Sequence, residues 1–203
     1  MAFDSDPSRL IASLVAIVIG LTFHEFSHAL VADRLGDHRP RALGRVSLNP
    51  LRHLDPIGSL MLLLFRFGWA KPVPVNPYAL RPGRIGMTYV AAAGPLANVV
   101  VAIAFAIVAR VLDQIGIGGF AYDVISGVVF INVLLAIFNL IPIPPLDGYN
   151  LVLPLLPVRT AMTAQRYAPY GVIALLILVL IPGSPLGILL RVITPITRFL
   201  VGA

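Results

Sequence analysis

No cysteine occurs anywhere in the 203 residues, so neither disulfides nor thiolate metal ligands enter the chemistry of this chain. Charge is scarce as well: Asp, Glu, Lys and Arg make up 12% of the residues against 58% hydrophobic ones, and the mean hydropathy is +0.92. A soluble chain of this length cannot hide so much apolar surface, because a small domain buries only a fraction of its residues. The composition therefore excludes an ordinary soluble domain and predicts one integral membrane domain over residues 1–203. A basic stretch at the N-terminus is also missing; the first charges are Asp4 and Asp6, and no cleavable signal peptide is read. Glutamate is reduced to a single residue, Glu25.

What charge there is has a pattern. The net charge of +6 would suit nucleic acid if it covered one face, but nine of the fifteen Lys and Arg residues fall between Arg34 and Arg84, where the only acids are Asp37 and Asp55. That is the positive-inside signature of a cytosolic loop, so the lipid bilayer is the expected partner and nucleic acid is not. The cell membrane is the expected location, with the loop and whatever site opens beside it facing the cytosol.

Around this loop the apolar runs predict spans. The first runs from about Ser8 to Leu35, uninterrupted by proline and followed by Gly36 as a stop. A second runs from Ile85 to Leu112 and carries Gly94-Pro95-Leu96-Ala97-Asn98 in its interior, where the proline frees a backbone carbonyl and the small residues invite close approach of a neighbour. A third, Tyr122 to Ile141, ends in Ile141-Pro142-Ile143-Pro144-Pro145-Leu146-Asp147-Gly148, whose prolines must border a polar cavity if they lie at membrane depth. Two more apolar stretches follow, Tyr167 to Ile181 and Leu186 to Leu200, separated by the turn Pro182-Gly183-Ser184-Pro185. The segment from Ile57 to Val75 is too short to span as a helix and reads as a re-entrant segment or a strand pair. The expected fold is thus an all-α polytopic membrane protein of about five transmembrane or re-entrant helices with a small membrane-embedded β-strand element.

Inside the first span lies His24-Glu25-Phe26-Ser27-His28. Residues four apart share one helix face about 6 Å apart along the axis, so the two imidazoles can hold one metal ion. Zn²⁺ accepts neutral imidazole nitrogens, and a catalytic site leaves one position open for water. Glu25, adjacent to the first ligand, is placed to take a proton from such a water. Ionisable residues at membrane depth point to function. Two histidines are one ligand short, and Asp147 is the best carboxylate to supply it: Asp33 follows the motif on its own helix, and Asp113 and Asp123 belong to the opposite end. Asn98 and Asn139 are candidate donors to a developing oxyanion or to substrate, with helix-to-helix hydrogen bonding as the competing role. His53, with Asp55, is an accessory candidate for a metal or gating role, against an ordinary polar turn. Trp69 reads as an interface anchor.

His24-Glu25-Phe26-Ser27-His28 in one span, Gly94-Pro95-Leu96-Ala97-Asn98 in the next and Asn139-Leu140-Ile141-Pro142-Ile143-Pro144-Pro145-Leu146-Asp147-Gly148 later resemble the site-2 protease family of intramembrane zinc metalloproteases. The resemblance extends over most of the chain and is closest to short members without an inserted peptide-binding domain. It implies one Zn²⁺ per chain held by His24, His28 and Asp147, with Glu25 as acid and base. It also implies an endopeptidase that cuts transmembrane segments of membrane-protein substrates within or near the bilayer, in regulated intramembrane proteolysis. A membrane metal transporter and a non-proteolytic binder of transmembrane segments are the alternatives. No inverted repeat is detectable, and a glutamate beside a ligand serves hydrolysis, not transport.

Overall fold

The computed structural model describes residues 7–65, 68–180 and 185–202. Among the described residues, three helices are long and apolar enough to cross a membrane: α1, Pro7–Arg34; α4, Arg84–Gln114; and α5, Phe120–Asn139. Their ends fall within a few residues of the runs expected from the sequence. Between α1 and α4 lie the one-turn α2, Arg39–Ala42, and the ten-residue α3, Pro56–Phe65. After α5 come the short α6, Asp147–Val152, then α7, Val158–Tyr167, α8, Gly171–Leu180, and α9, Pro185–Val201. The expected features at Asp4 and Asp6, at Arg66 and Phe67, and at Pro182 to Ser184 lie outside the described residues.

The three spanning helices pack on one another through small residues at four-residue spacing. Buried positions on α1 include Ala12, Ala16, Gly20, His24, His28 and Ala32; on α4 they include Gly86, Val90, Gly94, Asn98, Ala102 and Ala106. Small side chains let the backbones come close, which is how helices associate where lipid offers no hydrophobic contrast. Ala16, Val101 and Val128 meet at the junction of α1, α4 and α5. A second cluster, with Ala102, Ala106, Ala109, Val129, Val133 and Ile193, binds α9 to α4 and α5. The histidines and Asn98 thus occupy the same stripes as the packing residues, and are buried because of it.

The expected strand element is corrected. Among the described residues no strand forms; pairing is limited to one antiparallel bridge between Leu54 and Ala70, with Lys71 N–H donating to the His53 carbonyl at 2.8 Å. Ile57 to Phe65 is helical instead. Asp55 caps that helix by accepting the Gly58 N–H at 2.8 Å, Pro56 suits its first position, and the Leu and Met residues that follow are good helix formers. Pro72 and Pro74 lack the N–H groups that a ladder over residues 70–75 would need. Helix α7 also differs from expectation. No helix was expected there, because its polar residues give no apolar run; Ala161 is its buried contact.

Candidate metal centre

The four-residue spacing in α1 delivers what it implies: Nε2 of His24 and Nε2 of His28 lie 3.1 Å apart. Helix α6 brings the third group. Its first residue, Asp147, places Oδ2 3.0 Å from Nε2 of His24 and 3.2 Å from Nε2 of His28. Gly148 makes this approach possible, since a Cβ there would sit 2.3 Å from the carbonyl oxygen of Leu140. The chain therefore doubles back from the end of α5 so tightly that only glycine fits behind the aspartate.

Protons on the far side of each ring determine the character of this triangle. Nδ1 of His24 faces Oδ1 of Asn98 at 2.6 Å, and Nδ1 of His28 faces the Val90 carbonyl at 2.7 Å. Both partners are acceptors, so each ring in its neutral form carries its proton on Nδ1 and turns an Nε2 lone pair inward. The Asn98 assignment is fixed independently, because its Nδ2 donates to the Gly20 carbonyl at 3.1 Å and to Oδ1 of Asn132 at 2.7 Å. Oδ2 of Asp147 is buried and receives no hydrogen bond. With both rings neutral, three acceptor atoms converge, an arrangement that a cation at its centre would relieve. Tetrahedral zinc with nitrogen and oxygen ligands at 2.0–2.1 Å separates its donors by about 3.3 Å, a few tenths of an ångström beyond the spacing here. The residues fit the ion. His24, His28 and Asp147 form the one cluster of this kind found among the described residues.

The site opens on a cavity of about 440 Å³. Its wall includes Glu25, the non-helical segment with Ala70, Pro72, Val73 and Val75, Ala91 of α4, Asn139 at the end of α5, Asn150 of α6 and Leu175 of α8. Glu25 thus shares the chamber with the ligands. Trp69 lines it as well and is 46% exposed.

The other sequence candidates have definite places. Asn98 is fully buried behind His24, and both of its amide hydrogens are committed, so it orients a ring and has no hydrogen left for an oxyanion. Asn139 donates one amide hydrogen to the Leu135 carbonyl at 3.0 Å and faces the cavity. His53 is fully buried in the loop, with Nε2–H donating to the Ser47 carbonyl at 2.7 Å, and is not part of the ligand cluster. Asp55 is the helix cap described above. Asn132 was missed. It continues the chain His24, Asn98, Asn132 and ends it by donating to the Val128 carbonyl at 2.8 Å. A polar residue within an apolar span was the available signal. Gly94 was read for helix packing alone, yet a Cβ there would lie 2.4 Å from Nε2 of His28 and 2.6 Å from Cε1 of His24.

Comparison with known proteins finds one family model and several relatives. The model of "Peptidase family M50" matches residues 118–182, which include Asp147 but not the histidine pair. "Putative zinc metalloprotease YwhC" of Bacillus subtilis is 35% identical over 177 residues, covering 83% of this chain and 80% of that protein. "Putative zinc metalloprotease Rip2" of Mycobacterium tuberculosis is 31% identical over 171 residues, covering 81% of this chain and 65% of the relative. "Putative zinc metalloprotease MJ0611" of Methanocaldococcus jannaschii is 34% identical over 149 residues, covering 68% of this chain and 67% of that protein. No solved structure matches the chain.

Proposed function

The chain belongs to peptidase family M50, the site-2 protease family, and from that premise we propose that it is an intramembrane zinc endopeptidase that hydrolyses peptide bonds within or near transmembrane segments of other membrane proteins. One observation carries the reading: three potential metal-ligand atoms converge at the wall of a cavity that Glu25 shares.

His24, His28 and Asp147 would hold one Zn²⁺. When bound, the metal supplies a Lewis acid that polarises a carbonyl and lowers the pKa of a water to about 7. Glu25 removes a proton from the attacking water and returns it to the leaving nitrogen, work that calls for a carboxylate free to change protonation state. Asn98 and the Val90 carbonyl hold the two rings with their Nε2 atoms turned inward. Asn139 offers its remaining amide hydrogen to a substrate carbonyl at the cavity wall. A transmembrane helix hides its amides in its own hydrogen bonds, so the substrate must be locally extended before it reacts. The non-helical segment Ala70 to Val75 supplies backbone along which an extended chain can lie. The basic charge of the loop between α1 and α4 supports a cytosolic side for this opening.

The test uses four variants, purified in detergent and assayed for bound metal and for cleavage of a membrane helix weakened by Gly or Pro. His24→Ala, His28→Ala and Asp147→Ala each lose zinc. Glu25→Gln keeps zinc near one per chain while cleavage falls by at least about 10²-fold, the usual scale for a lost general base. Full cleavage by Glu25→Gln would remove the base assignment, and full zinc affinity in Asp147→Ala would remove the third ligand.

A further inference from the structure

Arg45 is the single buried cation among the described residues, with 4% of its surface exposed, whereas Arg39, Arg41, Arg52, Lys71 and Arg81 of the same loop are exposed. A guanidinium does not shed its proton at ordinary pH, so burying it demands compensation. Arg45 has three partners. Nη1 donates to the Pro72 carbonyl at 3.3 Å, Nη2 donates to the Lys71 carbonyl, and Nη2 lies 3.9 Å from Oε2 of Glu25. Burial pulls the pKa of the guanidinium down, and the charge of Glu25 acts against that shift.

Position distinguishes this arginine from a loop tie. Glu25, Ala70, Pro72 and Val73 line the cavity, and Arg45 does not. It stands behind the wall and joins two parts of it, the carboxylate beside the proposed metal ligands and the non-helical segment. Its Nε is buried without a partner. A neutral donor would satisfy two carbonyls without the cost of a desolvated charge and an unpaired N–H. What a neutral donor lacks is the positive charge that attracts the Glu25 carboxylate across 3.9 Å.

We infer that Arg45 is a positioning residue for hydrolysis, which from outside the cavity holds the Glu25 carboxylate and the Lys71–Pro72 backbone in one arrangement. The inference rests on the reading of Glu25 as the base. Its charge faces Glu25, while its hydrogen bonds hold the Lys71–Pro72 backbone, so the loss of charge alone acts on the chemical step and leaves substrate and metal binding in place.

Two variants of the full chain separate charge from hydrogen bonding. Arg45→Lys keeps the cation, and Arg45→Gln keeps amide donors without charge. Both should retain bound zinc and the elution profile of the parent. Arg45→Gln should lower kcat by at least about tenfold with KM within about threefold, and Arg45→Lys should stay within about fivefold of the parent kcat. A parental kcat in Arg45→Gln, a defect confined to KM, or a lysine variant no better than the glutamine variant would overturn the inference. Thermal stability gives a readout independent of activity. Glu25→Gln and Arg45→Gln should be non-additive, with the double variant less destabilised than the sum of the singles; strict additivity overturns the coupling. The two readings fail differently. Full cleavage by Glu25→Gln removes the base itself, whereas an inactive Glu25→Gln beside a fully active Arg45→Gln removes only the role of Arg45.

Discussion

Oδ1 of Asn98 accepts the Nδ1–H of His24 at 2.6 Å, and Nδ2 of the same amide donates to Asn132 at 2.7 Å. One asparagine therefore fixes both the tautomer and the ring plane of a proposed ligand, and is itself fixed from α5. Replacing it with leucine keeps the packing volume and removes the acceptor. Asn98→Leu should weaken zinc binding by about 10- to 100-fold, the range found when partners of metal-bound imidazoles are removed. Competition against a chelator of known affinity measures it. Asn132→Leu acts one step further away and should weaken binding less; unchanged affinity in Asn98→Leu would mean that packing alone holds the His24 ring.

Gly94 faces the same histidines from α4. An added methyl group would lie 2.4 Å from the ligand nitrogen of His28, closer than any real carbon contact, so ring or helix must shift. Gly94→Ala should reduce zinc affinity by at least about tenfold with the helical content unchanged, read by metal analysis beside circular dichroism. Alanine is a better helix former than glycine, so an effect on the metal alone separates crowding at the site from helix propensity.

Asp37, just beyond the end of α1, is 1% exposed. Hydrogen bonds from Arg39 lower its pKa from 3.8 to about 2 against the opposing effect of burial, aided by the backbone N–H of Asn76 at 2.6 Å. The link holds the chain just after the cavity-wall segment to the end of the motif-bearing helix. A depressed carboxylate contributes stability that is complete above its unfolded pKa near 3.9 and is lost as pH falls through the folded value. Asp37→Asn should lower Tm by about 3–10 °C at pH 7. The gap to the parent should stay constant down to about pH 4.5 and narrow below it. A gap that widens with acid would contradict the assignment.

Much of this was legible in the sequence, for reasons that differ by residue. Helix α1 and its histidines follow from local periodicity, since a spacing of four residues fixes a shared face whatever surrounds it. Asp147 was legible by elimination, as the one acid at a proline-broken helix end on the same side as the histidine pair. Asn132 and the crowding at Gly94 were not, because they depend on which face of α4 and α5 turns toward α1. Local pattern leaves that undetermined in helices apolar all round. Of the two readings of Ile57 to Val75, a re-entrant segment or a strand pair, the strand pair fails at a particular point. An apolar run too short to span does not require a strand, because a ten-residue helix that spans nothing satisfies its own backbone equally well.

Orientation completes the account, and the absence of cysteine makes it directly testable. If the basic loop is cytosolic, α1 runs inward, α4 outward and α5 inward again. The turn between α4 and α5 then lies outside, and the residues after α5, with Asp147, return to the cytosolic side. Leu51 is 78% exposed in the loop, and Gly118 has open space around its Cα in the α4–α5 turn, so a cysteine at either disturbs no contact. Neither position belongs to the site. Gly118→Cys should react with a membrane-impermeant maleimide in intact cells, and Leu51→Cys should react only after the membrane is opened. Labelling of Leu51→Cys from outside would invert the protein and turn the cavity away from the cytosol; the metal chemistry would stand, but the substrate would have to present its cleavage site from the other face.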